Sequence, residues 1–199
     1  ISRLSQRQFS YYQYFHPAKN RGLLKSKFWI ITGSLNLHWK KVDFLPKIPE
    51  ELIPSTDIIE NQQNVCPTGN IKPDGNSIFR VYDASNEIYD LIVPYFKQKI
   101  VVRWQLITAD LPIHYDWGKS SEKYLYLIHK GGKNVVTNFW SEKENDPISG
   151  GSFEQEDREL IITISEEEKS WFLLNVKKPH SVSNIESTRL ALIIRPVGE

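Results

Sequence analysis

The character of this chain changes at residue 100. Beyond it, short runs rich in Val, Ile, Thr, Trp and Tyr follow one another, at 101–108, 112–117, 123–129, 135–140, 159–164, 171–176, 179–184 and 188–195. β-Branched and aromatic side chains suit a pleated, half-buried surface, and Gly, Asn, Ser or Pro stands in many of the gaps. Eight such strands in under 100 residues predict a sandwich or barrel. The expected fold is mainly β, a jelly roll or double-stranded β-helix.

The first half reads differently. Residues 1–25 are polar and aromatic, with Phe9, Tyr11, Tyr12, Tyr14 and Phe15 clustered, and predict an irregular or helical arm on the main body. Phe28 to Thr32 and Leu35 to Trp39 read as short strands around Gly33. Residues 54–77 are rich in Pro, Asn and Gly and read as a long loop. Asn86 to Lys99 places Ile88, Leu91, Ile92 and Tyr95 at helical spacing, and Pro94 should end or kink that helix. The organisation expected is one domain over 1–199, with 1–99 as decoration and support and 100–196 as the core.

Bulk properties exclude some functions. A formal net charge of +1 gives no global basic field for nucleic acid and no acidic field for a polycation. The single cysteine, Cys66, permits no internal disulfide and argues against a Cys-based zinc site. A reducing cytoplasm is the expected compartment. Ile1 to Gln8 carries charges and no apolar core of a signal peptide, and no stretch has the roughly 18 apolar residues of a membrane span.

The residues that carry chemistry lie in the β half. His114 and Asp116 sit two apart, and on a strand such side chains share a face. A third ligand from another strand would complete a metal site, and His180 in Pro179-His180-Ser181-Val182 supplies it. Two His and one carboxylate on one face of an octahedron leave open positions that suit non-haem Fe(II) and oxygen chemistry. On its own, a His-x-Asp is also what two polar residues on a solvated strand look like. Arg189 adds weight. In Thr188 to Ile194 it shares a face with Ala191 and Ile193, while Leu190, Leu192 and Ile194 share the other. An inward guanidinium needs an anion, and its fork matches a carboxylate. The competing reading is an edge-strand Arg paired with a surface acid.

Together these pieces resemble the 2-oxoglutarate/Fe(II) oxygenase superfamily, and most of all its aspartyl/asparaginyl β-hydroxylase-like and related small microbial or phage members. The resemblance rests on Pro112 to Asp116, Tyr124 to Ile128, Thr137-Asn138-Phe139-Trp140, Asn175 to Asn184 and Arg189 to Ile194, in that order. It covers about residues 100–196. It implies that His114, Asp116 and His180 hold Fe(II), and that Arg189 binds the distal carboxylate of 2-oxoglutarate. The reaction implied couples oxidative decarboxylation of that co-substrate to substrate oxidation, with an amino-acid side chain, peptidyl or free, as the first expectation for substrate. Many relatives carry Ser or Thr shortly after the Arg, whereas this chain has Ala191 and Ile193. Tyr124 or Tyr126, which share a strand face, could replace that contact or could be aromatic packing.

Other residues read as structural. His129 is expected at the surface, His38 as a satisfied structural histidine, Gly131-Gly132 as a turn, and Glu166-Glu167-Glu168 as a solvated hairpin tip. Gln105 or its strand neighbours would line the pocket, depending on which face turns inward. Two alternatives stand beside the oxygenase: a cupin-type metal protein that uses no 2-oxoglutarate, and a non-enzymatic jelly-roll binding module.

Overall fold

The structure, a computed structural model, describes residues 38–60, 78–116, 118, 120–146, 152–153 and 158–197. They belong to one compact unit, Leu35–Glu199; Ile1–Ser34, which groups separately, falls outside the described residues. The expected arm over 1–25, the strand at 28–32, Cys66 and most of the 54–77 loop also fall outside them.

Eleven strands build two antiparallel sheets among the described residues. They are β1 (Trp39–Val42), β2 (Phe79–Asp83), β3 (Ile100–Ile107), β4 (Leu111–His114), β5 (Glu122–His129), β6 (Val136–Trp140), β7 (Ser152–Phe153), β8 (Leu160–Ile164), β9 (Trp171–Asn175), β10 (His180–Ser183) and β11 (Arg189–Pro196). The larger sheet runs β1-β9-β5-β11-β3-β2 and the smaller runs β7-β4-β10-β6-β8. From β3 onward the chain passes to and fro between the sheets. That winding gives a double-stranded β-helix, with β3, β11, β5 and β9 facing β4, β10, β6 and β8. Each of the eight strands expected from sequence is present, shifted by at most three residues at an end.

Strand alternation sorts the larger sheet into two faces. Val102, Trp104, Leu106, Tyr126, Ile128, Leu190, Leu192 and Ile194 pack outward, under Val42, Leu45, Ile48 and the helix α2 (Asn86–Ile92), which buries Ile88 and Ile92 there. Pro94 does end that helix: the chain tightens to a 3-10 turn at Val93–Tyr95. Leu125, Leu127, Phe172, Leu174, Ala191 and Ile193 pack inward against Phe139 and Ile164 of the smaller sheet. A charge at Leu192, fully buried in the outer layer, would break this packing, because an unpaired buried charge costs several kcal/mol.

The structure adds elements that the sequence did not predict, among them β2 and α1. β2 extends the larger sheet beside β3. A short helix, α1 (Thr56–Glu60), sits at the start of what reads as loop. Of the strand expected at 35–39, residues 35–37 fall outside the described residues; Trp39 begins β1, which pairs with β9.

Candidate metal centre

A bulge aims the first ligand. Between β10 and β4 the register runs His180 opposite His114, then Val182 opposite Leu111, so β4 carries an extra residue around Pro112 and Ile113. Pro lacks an N–H and is tolerated at such a bulge. The consequence is direct apposition of the two imidazoles, with ring centroids 4.4 Å apart. Asp116 follows just beyond β4, where its N–H donates to the Val176 carbonyl at 3.2 Å.

Three ligand atoms converge there. Asp116 Oδ1 lies 3.4 Å from His114 Nε2 and 3.5 Å from His180 Nε2. All three side chains offer ligand atoms within 4.8 Å of one another. The ring tautomers follow from the backbone: His114 Nδ1 is 2.8 Å from the Pro112 carbonyl and His180 Nδ1 is 2.9 Å from the Lys178 carbonyl. A carbonyl only accepts, so each Nδ1 donates and each Nε2 of a neutral ring presents a lone pair. Burial and the neighbouring His114 pull the His180 imidazole down to about 4, so it is neutral at pH 7. Burial opposes the charge on Asp116, yet the neighbouring Lys123 ammonium holds its carboxyl well below the usual range. In this tautomer each Nε2 turns toward Asp116 Oδ1, and the buried His180 Nε2 has no hydrogen-bond partner among the described residues. A divalent cation fits this donor set, since two imidazoles and one carboxylate are the usual ligands of first-row metals. The backbone carbonyls behind the rings are the outer contacts that such ligands use to fix their orientation.

A pocket opens beside the three ligands. Its wall includes His114, His180, Lys123, Gln105, Thr137 and Arg189, with the apolar Ile107, Leu111, Leu125, Leu174 and Val182 between them. Gln105 lies on the inward face of β3. Arg189 lies on the inward face of β11, buried to 2 % exposure. The turn beneath it depends on Gly131, at φ +86°, where a Cβ would come within 2.8 Å of the Ser187 carbonyl oxygen.

The anion beside Arg189 comes from the protein. Glu166 Oε1 accepts from Arg189 Nη2 at 3.1 Å and from the Thr137 hydroxyl at 2.5 Å. Glu166 is thus no solvated tip residue. It continues the inward parity of Ile164 past the end of β8, and that parity was the sequence signal for its burial. Glu167 and Glu168 are exposed, as expected. Arg189 Nε and Nη1 and Glu166 Oε2 have no hydrogen-bond partner.

Tyr124 and Tyr126 do not line the pocket. Tyr126 packs outward against Trp171, with ring centroids 4.9 Å apart, and Tyr124 lies edge-on to Phe44 and Phe96. The aromatic layer around α2 takes their face of β5, so Lys123, Leu125 and Leu127 turn inward instead. Lys123 is the residue that sequence reading passed over, although it alternates with Tyr124 in plain view. Its ammonium sits 3.0 Å from Asp116 Oδ2. Burial pulls its pKa down and Asp116 opposes that fall. His129 is exposed and His38 half-buried, with its ring 5.3 Å from that of Phe139.

No family model matches the chain, and no curated protein matches it. Among solved structures it is similar to vicilin from hazelnut, Corylus avellana, at 10% identity and TM-score 0.38, over 69% of this chain and 32% of that one. It is also similar to a single-residue variant of Bacillus subtilis oxalate decarboxylase, at 12% identity and TM-score 0.38, over 71% of this chain and 29% of the other. The chain thus spans about a third of the length of these structures. No helix among the described residues is long and apolar enough to cross a membrane.

Proposed function

We propose that the chain is a non-haem Fe(II) oxygenase that takes 2-oxoglutarate as co-substrate. The observation that carries this reading is a combination beside one pocket: three converging ligand atoms at His114, Asp116 and His180, and two buried cations, Lys123 and Arg189, on the pocket wall. Among the described residues around the site, Lys123, Arg189 and Arg195 stand against Asp116 and Glu166, an excess of one positive charge. A divalent metal would raise that excess to three, and a dianionic 2-oxo acid offsets most of it. Fe(II) would supply oxygen activation for the oxidation of a bound substrate.

The protein's part is positioning. His114 and His180 are held by their Nδ1 bonds so that each Nε2 would be free to hold the metal. Arg189 keeps two nitrogens free of protein partners and offers them to the co-substrate's distal carboxylate. Ile107, Leu125, Leu174 and Val182 keep the pocket wall apolar, which strengthens each charge contact inside it. An amino-acid side chain as substrate rests on the sequence resemblance alone.

One observation favours a second reading, a metal-binding jelly-roll protein without 2-oxoglutarate: Arg189 already has Glu166 as its counter-ion. Succinate formation separates the two. Under the first reading, Fe(II)-loaded protein converts 2-oxoglutarate to succinate. Arg189→Ala then raises the 2-oxoglutarate requirement about tenfold or more, because a hydrogen bond to a charged group contributes about 1.5–3 kcal/mol. Metal affinity should stay near the native value. Succinate formation that ignores Arg189, or none at all from iron-loaded protein, moves the second reading ahead.

A further inference from the structure

The two oxygens of Asp116 have different surroundings. Oδ1 faces the two imidazole nitrogens at 3.4 and 3.5 Å. Oδ2 is turned the other way and carries two cations, Lys123 Nζ at 3.0 Å and Arg195 Nη2 at 3.3 Å. Lys123 is 95 % removed from solvent, on the same inward face of β5 as Leu125 and Leu127. Arg195 reaches in from the end of β11, and its Nη1 lies against Gly118, where a Cβ would stand 3.9 Å away.

We propose that Lys123 and Arg195 are positioning residues that restrict Asp116 to one metal-binding oxygen. This rests on the metal-centre reading above. A carboxylate next to a divalent ion can lend one oxygen or both. Binding through both would need Oδ2 to leave the charge-assisted hydrogen bond from Lys123 and the ion-pair contact with Arg195, and a charge-assisted bond is about twice as strong as a neutral one. Held to one oxygen, the triad fills about three of six positions and leaves about three for ligands. Held less firmly, Asp116 would take a fourth, and a chelating co-substrate together with a further ligand would no longer fit.

The arrangement has a second consequence, opposite to that of an ordinary supporting contact. Two positive charges close to the ion repel it. Most outer contacts raise metal affinity, and their loss lowers it about 10–100-fold. Loss of Lys123 should instead leave affinity unchanged or higher, because a repelling charge goes and a second oxygen is released. The number of open positions should fall at the same time.

The test uses the full chain with Mn(II), whose bound waters are counted by water-proton relaxation and whose affinity is measured by titration. The native protein should hold about three exchangeable waters on Mn(II). Lys123→Met keeps the stem and removes the charge, and should lower that count. The double variant Lys123→Met with Arg195→Met should bring it to about two, with Mn(II) bound as tightly as by the native chain or more so. Lys123→Arg should restore the native count, since it returns a charged donor to Oδ2. If the double variant does not fold, the comparison of Lys123→Met with Lys123→Arg decides alone. A native water count in every variant overturns the proposal, and so does Mn(II) binding that weakens with the count unchanged, which marks a merely structural lysine. Native protein that binds no Mn(II) would bring down the metal-centre reading and this inference with it. Native binding with an unchanged count brings down only this one.

Discussion

Two partly buried carboxylates, Asp116 and Asp146, are used in opposite ways. Asp146 is fully occupied. Both its oxygens take guanidinium hydrogens from Arg158, and Oδ2 also accepts the Tyr115 hydroxyl at 2.6 Å and the Lys143 N–H at 2.8 Å. Asp116, one residue after Tyr115, has cations on one oxygen and two imidazole nitrogens opposite the other. A carboxylate whose two oxygens both carry donors from the protein is a fastener. One whose free oxygen faces two imidazole nitrogens is unfinished without a cation. The fastener also serves the unfinished site, because Tyr115 lies between His114 and Asp116 and its anchorage fixes the segment that carries both ligands.

Removing each carboxylate's charge should separate the two roles. Asp116→Asn takes away an anionic ligand, and first-row metal affinity should fall by more than about 100-fold, beyond the 10–100-fold typical of outer contacts. Competition against a chromophoric chelator measures it. Asp146→Asn should leave metal binding in place and lower stability instead, by on the order of 3 kcal/mol, the size expected when one partner of a buried pair is lost. Arg158 and Asp146 retain only 3% and 11% side-chain exposure, so solvent screens this pair little. Denaturant melts of the metal-free proteins give the number. If Asp146→Asn abolishes metal binding while the fold stays intact, the division between fastener and ligand is wrong.

Acid sharpens the same contrast. Arg158 and Tyr115 hold the Asp146 carboxyl well below the ordinary aspartate value of 3.8, against the opposing effect of burial. A carboxyl whose pKa is lower in the folded state contributes stability that is fully present above its unfolded value. That contribution is lost as pH falls through the folded one. Stability should therefore decline with acid below about pH 4. Asp146→Asn should flatten that decline, by an amount no larger than its own loss at neutral pH. The check is ΔG of unfolding against pH for both proteins, and parallel curves would show that Asp146 does not govern the acid limb.

What could be read in the sequence divides along similar lines. Period-two alternation and turn residues gave the eight core strands, because a strand buried on one face declares itself locally. His114 and Asp116 were legible from their His-x-Asp spacing and His180 from its place in a later strand, although Asp116 lies just beyond β4. Sequence parity did place Arg189, Ala191 and Ile193 on one face, and they share it in the structure. It left open which face of β5 turns inward. That choice depends on Phe44, Phe96 and Trp171, which are distant in sequence and cover the outer side of Tyr124 and Tyr126. Lys123 was hidden by this, since a lysine inside a barrel makes sense only once Asp116 is seen beside it. Glu166 was hidden by its acidic neighbours, and only the Thr137 and Arg189 contacts explain its burial.

The smallest expected effect lies on the other face of the ligand strand. His180 points to the metal centre, while Ser181 turns outward and accepts the Trp140 indole N–H at 3.0 Å. Both residues are buried, so the bond is shielded from water. Ser181→Ala would leave the indole N–H without a partner and should cost about 1–3 kcal/mol. Trp140→Phe removes the donor but also packing area, so its cost mixes two causes. The double variant resolves them: with neither partner present no orphaned donor remains, and the two single costs should exceed the combined one by about 1 kcal/mol. Metal affinity should stay at the native level in all three, because β10 presents only its other face to the site. Additive costs would show that the indole finds water instead. A fall in metal affinity with Ser181→Ala would show that the outer bond, and not only the Lys178 carbonyl, sets the angle of His180.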